Sequence, residues 1–281
     1  MSDLVIHEHT KSQLGKLSAN PAHAILLTGP VGMGKATLAR QLSEELLGLP
    51  ADSFANYPFG RTIRSTEGKA ISIDSIRELE HFLSLKIPGN KQVARIAIVE
   101  DSHLLTQEAQ NAFLKTLEEP PLDTALILTA IHERALLPTI RSRVCVVPVI
   151  KPAEAELAKY FVAAKPEQVK QAIAISGGLP GLTAALLDET SEHPLVEAVR
   201  YARELLQKSS FERLLLVDEL AKRKELARDT CYVLGHMAQL ALAKTGARRW
   251  QTIMKAAYEA DKALANSAQP KLCLTNLMLQ L

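Results

Sequence analysis

Ala24-Ile-Leu-Leu-Thr28 runs directly into Gly29-Pro-Val-Gly-Met-Gly-Lys-Ala36, and Thr37 to Leu47 then shows helical spacing. A compact apolar run of five residues reads as a buried strand, and the order strand, glycine-rich turn, helix is where a phosphate-binding loop must sit. Glycines let backbone N–H groups close around phosphate oxygens, the helix N-terminus adds positive potential, and Lys35 supplies a point charge. A short glycine-rich turn can arise by chance between any strand and helix, but Gly-x4-Gly-Lys in this context makes chance the minor reading.

Working outward, short β-rich runs alternate with helical patterns. Ala70-Ile-Ser-Ile73 reads as a short strand, followed by Asp74 as a helix N-cap and a helix through about Leu85. Arg95 to Val99 is the next strand and ends in acids. A helix from about Thr106 to Leu117 is stopped by Glu118-Glu-Pro-Pro121, Thr124 to Thr129 is a fourth strand, and Val144 to Val149 a fifth. Strands alternating with helices predict an α/β domain, a parallel sheet flanked by helices. Beyond Lys151 no strand pattern remains. Pro152 to Leu187 reads as three short helices, broken at Lys165-Pro166 and at Ser176-Gly-Gly-Leu-Pro-Gly181. From about Glu192 the pattern is helical, with apolar stripes such as Phe211, Leu214, Leu215, Val217 and Leu220. The expected domains are 1–150, 151–190 and 191–281.

Composition sets the outer limits. The 281 residues are 47% hydrophobic and 23% charged, enough apolar material for a buried core and against a disordered or fibrous chain. No stretch approaches the roughly 20 apolar residues of a membrane span, and the start at Met1 has no basic region leading into an apolar core, so neither a membrane segment nor a cleaved signal is expected. Cys145, Cys231 and Cys273 are widely spaced, offer neither a disulfide framework nor a zinc site, and suit a reducing cytoplasmic setting. A net charge of +2 does not by itself announce a nucleic-acid binder.

The phosphate loop carries a defect. Its last position calls for Ser or Thr, whose hydroxyl coordinates Mg²⁺, and here it is Ala36. Thr37 follows, but one helical step turns a side chain by about 100°. The acids after the third strand are also reversed: Glu100-Asp101 stands where an ATPase of this type places Asp then Glu, the first ordering magnesium and the second activating water. Either carboxylate alone could merely cap a strand. Two defects in the same metal-and-water apparatus predict weak or absent ATP hydrolysis.

Glu108-Ala-Gln-Asn-Ala-Phe-Leu-Lys-Thr-Leu-Glu-Glu-Pro-Pro121, Leu137-Pro-Thr-Ile-Arg-Ser-Arg143 and His23-Ala24 before the loop carry a specific likeness. Over roughly Leu4 to Leu187 the chain resembles the clamp-loader AAA+ proteins of bacterial DNA polymerase III, and among them the subunits that do not run the motor. The resemblance implies a P-loop AAA+ domain, a small helical lid, and an all-α C-terminal collar through which subunits form a ring of five. It also implies a degenerate nucleotide site made of Gly29, Gly34, Lys35, Thr37, Glu100, Asp101 and Thr129, with Thr129 at the sensor-1 position. Gly181 falls where motor subunits carry a sensor-2 arginine. No cofactor is required on this reading, although ATP or ADP without well-ordered magnesium is compatible with Lys35 and the glycines.

Arg143 takes the place of the family's arginine finger, which reaches across a subunit interface to the γ-phosphate held by a neighbour. Without the resemblance, a local ion pair with a surface carboxylate is the favoured reading of Arg143, and Arg141 is the weaker candidate. The acids of Glu118-Glu-Pro-Pro read as a helix stop. The family's four-cysteine zinc module is missing, since Leu47 to Lys69 contains no cysteine, so no zinc or other metal is expected. Cys145, one place beyond the family's Ser-Arg-Cys cysteine, is expected to pack. Trp250 and Tyr258 are expected to share a helix face, as core or as subunit contacts, and Lys222-Arg-Lys224 and Arg248-Arg249 to be solvated. The implied partners are other clamp-loader subunits, motor and delta-type, and through them the sliding clamp and primer-template DNA, in the cytoplasm. The alternative is an active AAA+ motor ATPase of the same assembly; a generic AAA+ regulator ranks last.

Overall fold

The structure is a computed structural model that describes residues 5–65, 69–85, 87, 92–188, 194–266 and 268–281. Met1, Leu4 and Glu192, used as limits in the sequence reading, lie outside the described residues. The chain divides into two compact units, Met1–Glu156 and Leu157–Leu281.

The first unit is built on five parallel strands, β1 (Ala24–Thr28), β2 (Gly60–Ile63), β3 (Arg95–Val99), β4 (Thr124–Ala130) and β5 (Cys145–Pro148), in the order β2-β3-β4-β1-β5. Every residue of β1, β3 and β4 is buried, so these strands read as unbroken apolar runs. The helices are α1 (Glu8–Ala19), α2 (Lys35–Leu47), α3 (Ile73–Ser84), α4 (Gln107–Glu118) and the single turn α5 (Pro138–Arg141). Leu26, Ala97, Val99, Leu126 and Leu128 form one core with Ile76, Leu79 and Leu83 of α3 and Phe113 and Leu117 of α4. α4 begins where the Thr106 side chain accepts from the Ala109 N–H. Arg95 joins β3 to the end of α3, donating to the carbonyls of Phe82, Leu83 and Leu85 where the helix runs out of its own donors.

One expected strand is replaced by another. Ala70 to Ile73 is not a strand: α3 already starts at Ile73, and Ile71 makes only an isolated bridge to Leu105. Ile71 is apolar because it is buried beside that segment, 3% exposed, with its N–H on the Leu104 carbonyl. The second strand is instead Gly60-Arg-Thr-Ile63, a sheet edge whose Arg61 and Thr62 face solvent. Gly60 is required there, because a Cβ would lie 2.9 Å from the Phe54 ring. Cys145 is exposed on β5, against the expectation that it packs.

The second unit is helical: most of α6 (Glu154–Tyr160), then α7 (Pro166–Ser176), α8 (Pro180–Leu187), α9 (Pro194–Gln207), α10 (Ser210–Lys222), α11 (Lys224–Thr245), α12 (Arg248–Ala265) and α13 (Pro270–Gln280). α11 packs between α9 and α12, and α13 lies against α10 and α12. Ser209 and Glu212 form a reciprocal capping box at the start of α10. The α10 stripe faces in only at Val217 and Leu220, while Phe211 and Leu215 are exposed. Trp250 is half-buried beneath the Arg249 guanidinium, but Tyr258 is exposed and is not core. Of the basic run at 222–224, Arg223 is held by two 2.6 Å hydrogen bonds to Glu197. Among the described residues, no helix is long and apolar enough to cross a membrane, and no group of three or more His, Cys, Asp or Glu is placed to share a metal ion.

Candidate functional site

The glycine-rich loop leaves the C-terminal end of β1, the edge at which parallel sheets present their ligand crevices. Gly29 donates its N–H to the Ala130 carbonyl at 3.2 Å, tying the loop to β4. The backbone is left-handed at Gly32 and at Gly34, the N-cap of α2, a path that curls successive amides toward one concavity. Lys35, first residue of α2 and only 7% exposed, turns back on this loop: its Nζ donates to the carbonyls of Gly29 at 2.7 Å and Pro30 at 2.8 Å. Burial pushes its pKa down to about 8 against the opposing pull of Asp101. Ala36 offers no oxygen, and Thr37 is exposed, one residue too far round the helix to replace the missing hydroxyl.

The acids follow β3. Asp101 has left-handed backbone at φ 49 and donates its N–H to the Thr129 hydroxyl at 2.9 Å. Ser102 donates its hydroxyl to the Thr129 carbonyl at 2.8 Å, so the ends of β3 and β4 are stitched together through one threonine. Burial raises the pKa of Glu100, and Asp101 pushes the same way, while Arg40 on α2 and Arg64 after β2 oppose. His103, half-buried, is pushed down by burial and by Lys35 and His132, with Asp101 opposing. Its Nδ1 is buried without a hydrogen-bond partner among the described residues.

The structure therefore brings Gly29, Gly34, Lys35, Glu100, Asp101 and Thr129 together, with Thr37 facing away. His103, Arg40 and Arg64 join them and were not singled out in the sequence. Arg64 follows the unrecognised strand β2, and His103 sits in a short turn after the acids that no motif marks. Magnesium-dependent phosphoryl chemistry needs a base-like carboxylate and an oxygen ligand for the metal, and position 36 has no side-chain oxygen to offer.

Arg143 stands apart, just after α5. Its Nη2 meets Glu118 Oε1 at 2.6 Å, and its Nη1 donates to the Thr139 carbonyl at 2.8 Å and the Ser142 hydroxyl at 3.1 Å. The guanidinium is thus engaged with its own chain, at the C-terminal end of α4. Arg141 is half-buried with its Nε unpartnered among the described residues. Gly181 lies in the first turn of α8 in the second unit.

Three comparisons with known proteins bear on these features. Residues 7–153 match the family model described as DNA polymerase III, delta subunit. A DNA polymerase III subunit delta′ from Pseudomonas aeruginosa is 34% identical over 197 residues, covering 63% of this chain and 58% of that protein. The subunit delta′ of Escherichia coli is 31% identical over 185 residues, covering 58% and 54%. The chain thus spans little more than half the length of the curated relatives it matches. Among solved structures, a DNA polymerase III gamma subunit-related protein from Thermotoga maritima aligns over 96% of this chain and 97% of its own with a TM-score of 0.60 at 22% identity, a likeness of fold. The family match takes in the sheet, the phosphate loop, the acids and Arg143, just over half of the chain, and so the protein belongs to the DNA polymerase III delta-subunit family, within which the curated relatives named here are delta′ subunits.

Proposed function

We propose that this protein is a non-motor subunit of a replication clamp loader, an AAA+ ring component that donates Arg143 in trans to ATP bound by a neighbouring subunit. The observation that carries this reading is the division of labour between its two cationic sites. Lys35 is committed to the carbonyls of Gly29 and Pro30 beside a loop whose Ala36 side chain gives magnesium no oxygen, whereas Arg143 is a third exposed and rests on Glu118 with guanidinium donors unused. A guanidinium set against charge developing on a transferring phosphoryl group lowers the barrier without any proton transfer. The chain's own pocket holds no magnesium nucleotide in catalytic order and needs no cofactor; an ATP or ADP lodged there is structural. The partners are the other clamp-loader subunits and, through them, the sliding clamp and primed DNA in the cytoplasm.

The test is a reconstituted clamp loader. Arg143→Ala lowers its ATPase on the order of 10³-fold at the neighbouring site while the ring still assembles; unchanged hydrolysis by an assembled ring removes the finger role. Lys35→Ala leaves the ATPase of the complex unchanged. The motor alternative draws on the retained Lys35 and left-handed Gly34, and it requires magnesium-dependent phosphate release by the isolated chain that vanishes in Lys35→Ala.

A further inference from the structure

Glu118 ends α4, and the sequence gives it no duty beyond stopping the helix, yet its carboxylate makes the shortest contact of the Arg143 side chain. A carboxylate at a helix C-terminus is poorly placed against the macrodipole, so Glu118 gains nothing locally from standing there. Arg143 arrives from the far side of the turn that follows α5, its own N–H bound to the Ile140 carbonyl. The Thr139 carbonyl and Ser142 hydroxyl fix Nη1, and Glu118 Oε1 fixes Nη2. These three bonds use three of the five N–H donors of a guanidinium, leaving Nε–H and one Nη2–H for an outside acceptor. Both side chains stay accessible, 33% exposed for Arg143 and 49% for Glu118, and such a pair contributes little to stability.

We infer that Glu118 is a positioning residue for Arg143: it holds the guanidinium in a single orientation, ready for a phosphate oxygen, before the neighbouring subunit docks. A long arginine side chain left free loses rotamer freedom on reaching across an interface, and one already held by its own chain does not. This inference rests on the finger reading of Arg143. The pairing also acts as a hold and not a block, because the donors it leaves open are sufficient for a phosphate oxygen.

The experiment is steady-state ATPase of the reconstituted clamp loader carrying Arg143→Ala, Glu118→Ala, Glu118→Gln or the double substitution, with ring assembly checked in each case. The expected result is an about threefold fall in kcat for Glu118→Ala with KM for ATP unchanged, a smaller fall for Glu118→Gln, which keeps an acceptor oxygen, and no further loss when Glu118→Ala is added to Arg143→Ala. If Glu118→Ala does not assemble, Glu118→Gln carries the test by the same kcat readout. Full activity of the Glu118 variants beside an impaired Arg143→Ala overturns the positioning role and leaves the finger standing. A rise in kcat also overturns it, by making the pair a restraint. Full activity of Arg143→Ala overturns both.

Discussion

Lys35 and Arg143 are both long cations bonded to carbonyls of their own chain, but their surroundings differ. Lys35 is 7% exposed, has no carboxylate within bonding distance among the described residues, and is pushed down to about 8 by burial. Arg143 is a third exposed and rests directly on Glu118. The first arrangement stabilises the loop by filling it from within; the second leaves a charge available outward. On the proposed reading, the cation that serves hydrolysis is the one at Arg143, and the buried Lys35 is left to hold its own loop.

The largest effect that could break this contrast is the loss of complex ATPase in Arg143→Ala set beside the indifference of Lys35→Ala, since equal losses would mean that both cations serve catalysis. Next comes pH. The folded chain holds Lys35 near 8 and the unfolded chain near the ordinary 10.5, so between these values unfolding takes up a proton and stability rises with pH. Relative to Lys35→Met, the native chain should gain up to about 3 kcal/mol between pH 8 and 10.5 in denaturant titrations, and nothing below pH 8. A flat difference would place Lys35 in solvent. Thr129→Val should cost about 1–2 kcal/mol, because the Asp101 N–H loses its acceptor, read as a lower urea midpoint of the isolated chain. Glu118→Ala should be the smallest, under about 1 kcal/mol in the isolated chain, as an exposed ion pair allows.

How much of this was legible in the sequence depended on whether neighbours or distant contacts decided a residue's state. β1, β3 and β4 are readable because burial on both faces makes them continuous apolar runs, and the turn from β1 to α2 is readable because its left-handed positions take glycine. β2 is not: as an edge strand it exposes Arg61 and Thr62, and its pairing with β3 is set by sequence-distant residues. The apolar Ile71 imitated a strand because burial, not extension, selects isoleucine. At the site, the pattern around the loop and the third strand singles out Lys35 and the acids, and the family resemblance adds Thr129. Neither singles out His103 and Arg64, since their proximity to the acids follows from how the strand ends converge. The Arg143 to Glu118 contact joins residues 25 positions apart, and no local pattern could have paired them.

The stitch through Thr129 bears on whether this turn could accept the order Asp then Glu. Aspartate tolerates the left-handed backbone at position 101 better than a longer acid does, and the threonine hydroxyl pins that amide in place. The reversed acids are thus tied to a turn, and exchanging Glu100 with Asp101 would force glutamate into a strained conformation. On the proposed non-motor reading, converting the chain into a hydrolysing subunit would take a rebuilt turn together with a hydroxyl at position 36, more than an exchange of two side chains.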